Sequence, residues 1–163
     1  GLEPKELAIL ADKHKHDVIG YGANCGIGAS ELVGSIKCFN QSIINDEQFI
    51  VAKGNCGIPE FKGTEIIYSG TPEMMALYAL HSRSLGAKII GGCCGTTHVH
   101  VKAMSEALSG HSENINFELS EVIEDLGEMT KGNMKMIESY LNPNSSDKQD
   151  ESPRRGRRRR KRN

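Results

Sequence analysis

The chain has 163 residues, of which 37% are hydrophobic and 25% are charged, enough apolar side chains for the core of one modest domain. It has no Trp and only four Phe and four Tyr, which argues against an aromatic platform for stacking nucleic-acid bases. We find no secretory signal and no apolar run near the roughly 20 residues of a membrane helix, and we expect no membrane contact. The chain begins with Gly rather than Met, which is typical of a processed chain or a fragment.

The formal net charge of −1 hides an acidic body and a basic end. Residues 154–163 hold eight of the 20 Lys and Arg and none of the 21 Asp and Glu, so the remainder carries a net charge of −9. The basic end could be a localisation signal, a solvated terminus, a contact for the acidic body or a nucleic-acid patch. Without a folded scaffold, its chemistry supports only weak, salt-sensitive binding to polyanions.

Hydrophobic periodicity and the placement of Gly and Pro predict alternating helices and strands. In chain order we predict a helix over 3–15, a strand over 17–22, a helix capped by Ser30 and running to 43, a strand over 49–53, a loop over 61–69 with at most a short extended piece, a helix from Thr71 to 86, a strand over 87–90, a helix over 98–108, and one or two helices within 119–140.

A short motif recurs in the first part of the chain. Asn24-Cys25-Gly26-Ile27 returns 31 residues later as Asn55-Cys56-Gly57-Ile58, and each copy lies between a predicted strand and the segment that leads to a helix. Alternating strands and helices at this spacing predict an α/β fold with a parallel sheet, whose chemistry lies at the carboxyl ends of the strands.

About three βα units are too few for a (β/α)8 barrel, which has eight units and typically about 250 residues. We therefore interpret the chain as the C-terminal portion of such a barrel, and expect the first half to be missing. A small open sheet of three or four strands is the alternative. The predicted division is a partial barrel over 1–110, a peripheral helical extension over 111–141, and a disordered linker with an Arg-rich tail over 142–163.

The cysteines indicate a metal site. The chain has five, an odd number, and the adjacent pair Cys93-Cys94 is poorly placed for a relaxed disulfide, so we expect reduced thiols and a cytoplasmic location. Glycines on both sides of the pair allow the backbone to turn so that both sulfurs converge. Cys25 also follows a predicted strand, so the three thiols can meet at one sheet edge. Three protein ligands leave a tetrahedral position open, as in catalytic zinc sites.

The sequence over 22–25, followed by the sequence over 91–96, resembles the zinc signature of the homocysteine S-methyltransferases, eight-stranded barrel enzymes that methylate homocysteine to methionine. The amino-acid sequence over 21–26 and 52–59 is most similar to that of the bacterial betaine–homocysteine S-methyltransferases. Some of these enzymes also have an Arg-rich C-terminus. The resemblance covers about residues 3–110 and would make these the last three barrel strands.

This resemblance implies that Cys25, Cys93 and Cys94 hold Zn²⁺, that homocysteine binds as a thiolate, and that its sulfur attacks a methyl group of betaine to give methionine and dimethylglycine. It implies no catalytic residue beyond these ligands. The family's substrate-binding residues lie largely in the first half, which has no counterpart here, so the chain would need a complementing N-terminal half or form a homo-oligomer. S-methylmethionine or a methylated corrinoid is the alternative donor, and a non-catalytic zinc- or polyanion-binding module is the alternative function.

Other candidate residues receive less specific predictions. Cys56 could be a ligand on spacing alone, but the family does not use this position, so we expect a small buried residue near the site. We expect Cys38 to lie in the core and the histidines after the cysteine pair, His98 and His100, to be solvated or to cap a helix. Three methionines are expected to serve packing: Met74, Met75 and Met104.

Overall fold

The computed structural model describes residues 2–110 and 117–143. Within them the elements are α1 (Pro4–Lys13), β1 (Gly20–Cys25), α2 (Ala29–Asn40), β2 (Phe49–Gly54), β3 (Pro59–Lys62), β4 (Glu65–Tyr68), α3 (Pro72–Ser84), β5 (Ala87–Gly92), α4 (His98–Gly110), α5 (Leu119–Leu126) and α6 (Lys131–Leu141). The predicted alternation of strands and helices is confirmed. The Arg-rich tail and nearly all of the predicted linker lie outside the described residues.

Strand β1 starts three residues later than predicted. Turns that follow α1 occupy residues 14–17, where the N–H of Asp17 and that of Val18 both donate to the carbonyl of His14. Pairing with β2 begins only at Gly20, opposite Phe49, and continues to Cys25. The predicted strand over 17–22 was therefore wrong at both ends, and Cys25 is the last residue of a strand rather than a loop residue.

Helix α2 begins at Ala29, with Gly28 as its N-cap, so the predicted cap at Ser30 was wrong. Ser30 lies in the first turn, buried, and its hydroxyl donates to the carbonyl of Glu128 at 3.2 Å. The prediction failed because a tertiary contact uses the hydroxyl that local sequence would assign to capping. By contrast, the predicted start of α3 is confirmed, since Thr71 is its N-cap and the Thr71 side chain accepts from the N–H of Met74.

The segment predicted as a loop over 61–69 contains an antiparallel hairpin, β3–β4, in which Pro59 pairs with Tyr68. Gly63, with φ 65°, lies in the turn between the strands. The hairpin escaped prediction because its apolar residues are mostly exposed rather than alternating about a core. Phe61, for example, is 77% exposed.

Strands β1, β2 and β5 form one parallel sheet in the order β1-β2-β5, which confirms the predicted parallel arrangement. Residues Ile50 and Ala52 of the central strand are buried in a core shared with α2 and α3. The six helices of the described residues, the parallel sheet and the separate hairpin make this an α/β fold that is compatible with part of a barrel. No helix in the described ranges has both the length and the apolar character needed to cross a bilayer.

The last two helices pack on the same core. Val122 of α5 and Ile137 of α6 are fully buried, and α6 lies against α2, where the Asn133 side chain donates to the carbonyl of Glu31 at 2.9 Å. A buried contact also joins α3 to α5, since His81 Nε2 lies 2.7 Å from Asp125 Oδ2. These contacts secure the first turn of α2, which follows the Cys25 loop.

Candidate metal centre

Each of the three parallel strands is followed by a loop that contains a glycine in the left-handed conformation. The residue with a left-handed conformation is Gly26 after β1, Gly57 after β2 and Gly95 after β5, with φ values of 91°, 83° and 75°. Cys25 itself has φ 71°, the one non-glycine value of this kind among the described residues. This conformation releases the Cys25 side chain from the strict alternation of the strand. The two copies of the repeated Asn-Cys-Gly motif therefore share a left-handed glycine, whereas only the first copy has a left-handed cysteine.

The middle loop holds the two outer loops together. On one side, the side-chain amide of Asn55 donates to the carbonyl of Gly26 at 2.5 Å. On the other side, the carbonyl of Gly54 accepts from the N–H of Cys93 at 2.7 Å, and the N–H of Cys56 donates to the carbonyl of Cys94 at 2.9 Å. The loop after β2 thus fixes both cysteine-bearing loops, although none of its own side chains joins the cluster.

The three predicted thiols converge. The sulfurs of Cys25 and Cys93 each lie 3.8 Å from the sulfur of Cys94, and all three lie within 4.8 Å of one another. Two sulfurs bound tetrahedrally to one zinc ion at about 2.3 Å would lie about 3.8 Å apart. Two of the three sulfur–sulfur distances already have this length, so the three thiols fit a tetrahedral, thiolate-binding metal with one coordination position left open.

The thiols interact with each other in ways that change their acidity. Hydrogen bonds from the Cys94 and Cys93 thiols, followed by one from the N–H of Gly26, lower the pKa of Cys25. Loss of solvent contact, followed by hydrogen bonds to Cys94 and Cys25, raises the pKa of Cys93. The lowered pKa of Cys25 favours its thiolate, the form that binds metals.

Two residues near the cluster were not singled out from the sequence. Asn55 is buried, its bond to Gly26 fixes the residue that follows Cys25, and its side chain makes a small contribution to the lowered pKa of the Cys25 thiol. The repeated Asn-Cys-Gly motif was the signal that could have identified it. Tyr68 lies at the end of the hairpin, and the loss of solvent contact, followed by the nearby Cys94 thiol, raises the pKa of its phenol. No local pattern indicates Tyr68, because the contact depends on the unpredicted hairpin.

The remaining candidates behave as predicted. Cys56 is buried beside the site, and its thiol donates to the carbonyl of Gly70 at 3.1 Å rather than facing the cluster. Cys38 is buried within α2. His98 is exposed, whereas Nδ1 of His100 accepts from the N–H of Thr97 at 3.0 Å, a capping contact at the start of α4. The three methionines pack in or against the core.

Comparison with known protein families supplies the identification. Residues 1–108 match the homocysteine S-methyltransferase family, which is more than half of the chain and includes all three strands and all three clustered cysteines. The family implies methyl transfer, with homocysteine as the acceptor. The chain therefore belongs to the homocysteine S-methyltransferase family.

Proposed function

We propose that the chain is the C-terminal part of a (β/α)8 barrel and carries the zinc site of an enzyme that transfers a methyl group from betaine to homocysteine. The observation that carries this proposal is the convergence of the sulfurs of Cys25, Cys93 and Cys94 at the carboxyl ends of two parallel strands. The open sheet edges at β1 and β5 support the barrel, since further strands would pair there.

A zinc ion held by three thiolates would supply acidity to an incoming thiol, so that homocysteine reacts as a thiolate at neutral pH. The residues of this chain have separate tasks. The three cysteines would hold the metal, Asn55 would orient Cys25, and the middle loop would keep the two cysteine loops at a fixed distance. The homocysteine sulfur would form a bond to a methyl carbon of betaine as the carbon–nitrogen bond breaks. The bond's electron pair leaves with dimethylglycine, and methionine is the other product.

Betaine is the proposed donor because the amino-acid sequence around both cysteine motifs is most similar to that of the betaine-using branch of the family. Its methyl group is activated by the positive nitrogen, so the protein has mainly to position it away from water. A reducing compartment such as the cytoplasm is part of the proposal, because three exposed or half-exposed thiols at this spacing need protection from oxidation.

The test is the zinc content of the purified full chain, measured for the wild type and for Cys25→Ala, Cys94→Ala and Cys38→Ala. We expect one zinc per chain in the wild type and in Cys38→Ala, whose thiol is buried away from the cluster, and none in the other two variants. Methionine formation is then assayed after the N-terminal half of the barrel has been added, with betaine, S-methylmethionine or a methylated corrinoid as the donor. Zinc retained by both Cys25→Ala and Cys94→Ala would disprove the site, and turnover only with another donor would disprove betaine.

A further inference from the structure

One face of the parallel sheet is not covered by the described helices. Helices α2 and α3 share a core with Ile50 and Ala52 of the central strand, so the alternate residues of that strand point to the opposite face. Register places three rows on this opposite face: Gly20 with Phe49, then Gly22 with Val51 and Ile89, then Asn24 with Lys53 and Gly91. Parallel sheets almost always have both faces buried. This face is therefore expected to line an enclosed space in the complete protein.

Lys53 lies on this face at the end where the cysteines converge. It is the residue before Gly54, whose carbonyl accepts from the N–H of Cys93, and it pairs with Asn24, the residue before Cys25. Its methylene stem lies towards β5, because a Cβ built on Gly91 would have Lys53 Cγ as its neighbour at 4.0 Å. The absence of a side chain at Gly91 leaves room for this orientation. The stem of Lys53 therefore lies beside the strand that leads to Cys93 and Cys94.

Lys53 makes no ion pair within the part of the chain that the structure describes. It is the one charged residue in the three rows. Its neighbours on the face are glycine, Asn24 and apolar side chains. A single cation beside apolar side chains, at the end of the strands where the cysteines converge, is suited to binding an anionic group of a small molecule.

We propose that Lys53 binds the carboxylate of a small-molecule substrate of this site. The inference rests on the proposed function, in which both homocysteine and betaine carry one carboxylate. An ammonium–carboxylate contact in a partly desolvated site would fix the orientation of the bound molecule while its sulfur or its methyl group faces the metal centre. Lys53 would therefore select carboxylate-bearing thiols or donors over analogues of the same size that lack this group.

The experiment uses the full zinc-loaded chain and measures binding by calorimetry. One arm compares homocysteine with 3-aminopropane-1-thiol, which lacks the carboxylate, and the other compares betaine with tetramethylammonium. The variants are Lys53→Met and Lys53→Arg, with Lys88→Met as the control, because Lys88 is an exposed lysine near the opposite end of β5. Zinc content and the circular dichroism spectrum are recorded for every variant.

We expect Lys53→Met to weaken binding of homocysteine, of betaine or of both by about tenfold or more, as loss of a charge-assisted hydrogen bond would do. Binding of the carboxylate-free analogues should stay within about twofold of the wild type, Lys53→Arg should keep most of the affinity, and Lys88→Met should match the wild type. The arm that loses affinity identifies whose carboxylate is bound. Unchanged binding in both arms, or equal loss for the carboxylate-free analogues, overturns the inference and leaves the proposed function standing. A zinc-loaded wild type that binds neither substrate also overturns the inference, whereas the proposed function stands or falls separately on zinc content and methionine formation.

Discussion

Gly95 lies where the backbone of the cysteine loop contacts the ring of Tyr68, and its substitution tests whether this contact supports the site. Its φ of 75° is unfavourable for any residue with a side chain. A Cβ added there would lie 2.5 Å from the Tyr68 Cβ and closer still to the ring. Gly95→Ala therefore combines the cost of a positive φ, about 1–2 kcal/mol, with overpacking against Tyr68, about 1–3 kcal/mol.

Gly63→Ala is the matched control. Gly63 has φ 65°, but a Cβ at this position meets no atom within 4 Å, so the variant carries only the first cost. We expect Gly95→Ala to lower the free energy of unfolding by about 1–3 kcal/mol more than Gly63→Ala does. In a Tyr68→Ala background the obstruction is removed, and Gly95→Ala should then cost no more than Gly63→Ala.

The assay is urea denaturation of the four variants and the wild type in the presence of a metal chelator, with the free energies compared as a double-mutant cycle. Zinc affinity, measured by competition, should fall in Gly95→Ala and not in Gly63→Ala, because only the first moves the backbone next to Cys94. Equal unfolding free energies for the two glycine variants would refute the reasoning. So would a cost of Gly95→Ala that is unchanged when Tyr68 is removed.

Three further predictions follow from the rest of the structure. Ellman's reagent should react with the three cluster thiols of the folded, metal-free chain and with Cys38 and Cys56 only after unfolding. Zinc should block the reaction of the three cluster thiols. Rapid reaction of all five thiols would contradict the burial of Cys38 and Cys56. Burial raises the pKa of Cys38 to about 12, so the contribution of this thiol to stability is complete below the unfolded pKa of about 8.5 and is lost as the pH rises towards 12. Between pH 8 and 10 the free energy of unfolding of the wild type should fall by up to about 1.4 kcal/mol per pH unit more than that of Cys38→Ala. Parallel pH profiles of the two proteins would contradict the prediction. Asp125→Ala should destabilise the fold by about 1–3 kcal/mol in thermal or urea unfolding, because it leaves Nε2 of the buried His81 without its partner. Lys102→Ala, which breaks an exposed ion pair, should cost under about 0.5 kcal/mol. Similar losses in the two variants would refute the role of Asp125 as the partner of His81.

The sequence was sufficient to predict the part of the site that depends on residue type and on strand order. Cysteine beside glycine at the end of an apolar run indicates a strand that stops and turns, and parallel strands bring such ends to one edge. The convergence of Cys25 with the Cys93-Cys94 pair could be predicted in this way. Whether these thiols hold zinc stays a prediction, as does the division of the chain into domains.

What could not be predicted depends on contacts between distant residues. Asn55 donates to Gly26, 29 positions away in sequence, and Ser30 is held by Glu128 rather than capping its own helix. Strand β1 carries Gly20 and Gly22, which lower strand propensity, yet both positions lie against the backbone of β2, where a Cβ would collide. In each case tertiary packing overrides the local preference from which the sequence was interpreted.

The distances explain why a loop that supplies no ligand is central to the site. Cys25 follows β1 and the cysteine pair follows β5, and these strands are separated by β2, so at about 4.8 Å per strand their backbones lie roughly 10 Å apart. The sulfurs of Cys25 and Cys94 are nevertheless 3.8 Å apart. Both must therefore lean over the loop after β2, which is possible because Asn55 folds towards Gly26 and the Cys56 thiol is directed away, to Gly70. A bulky side chain directed upward from this loop would separate the thiols without removing any of them, so the small, inward-facing residues of the middle loop are a condition for metal binding.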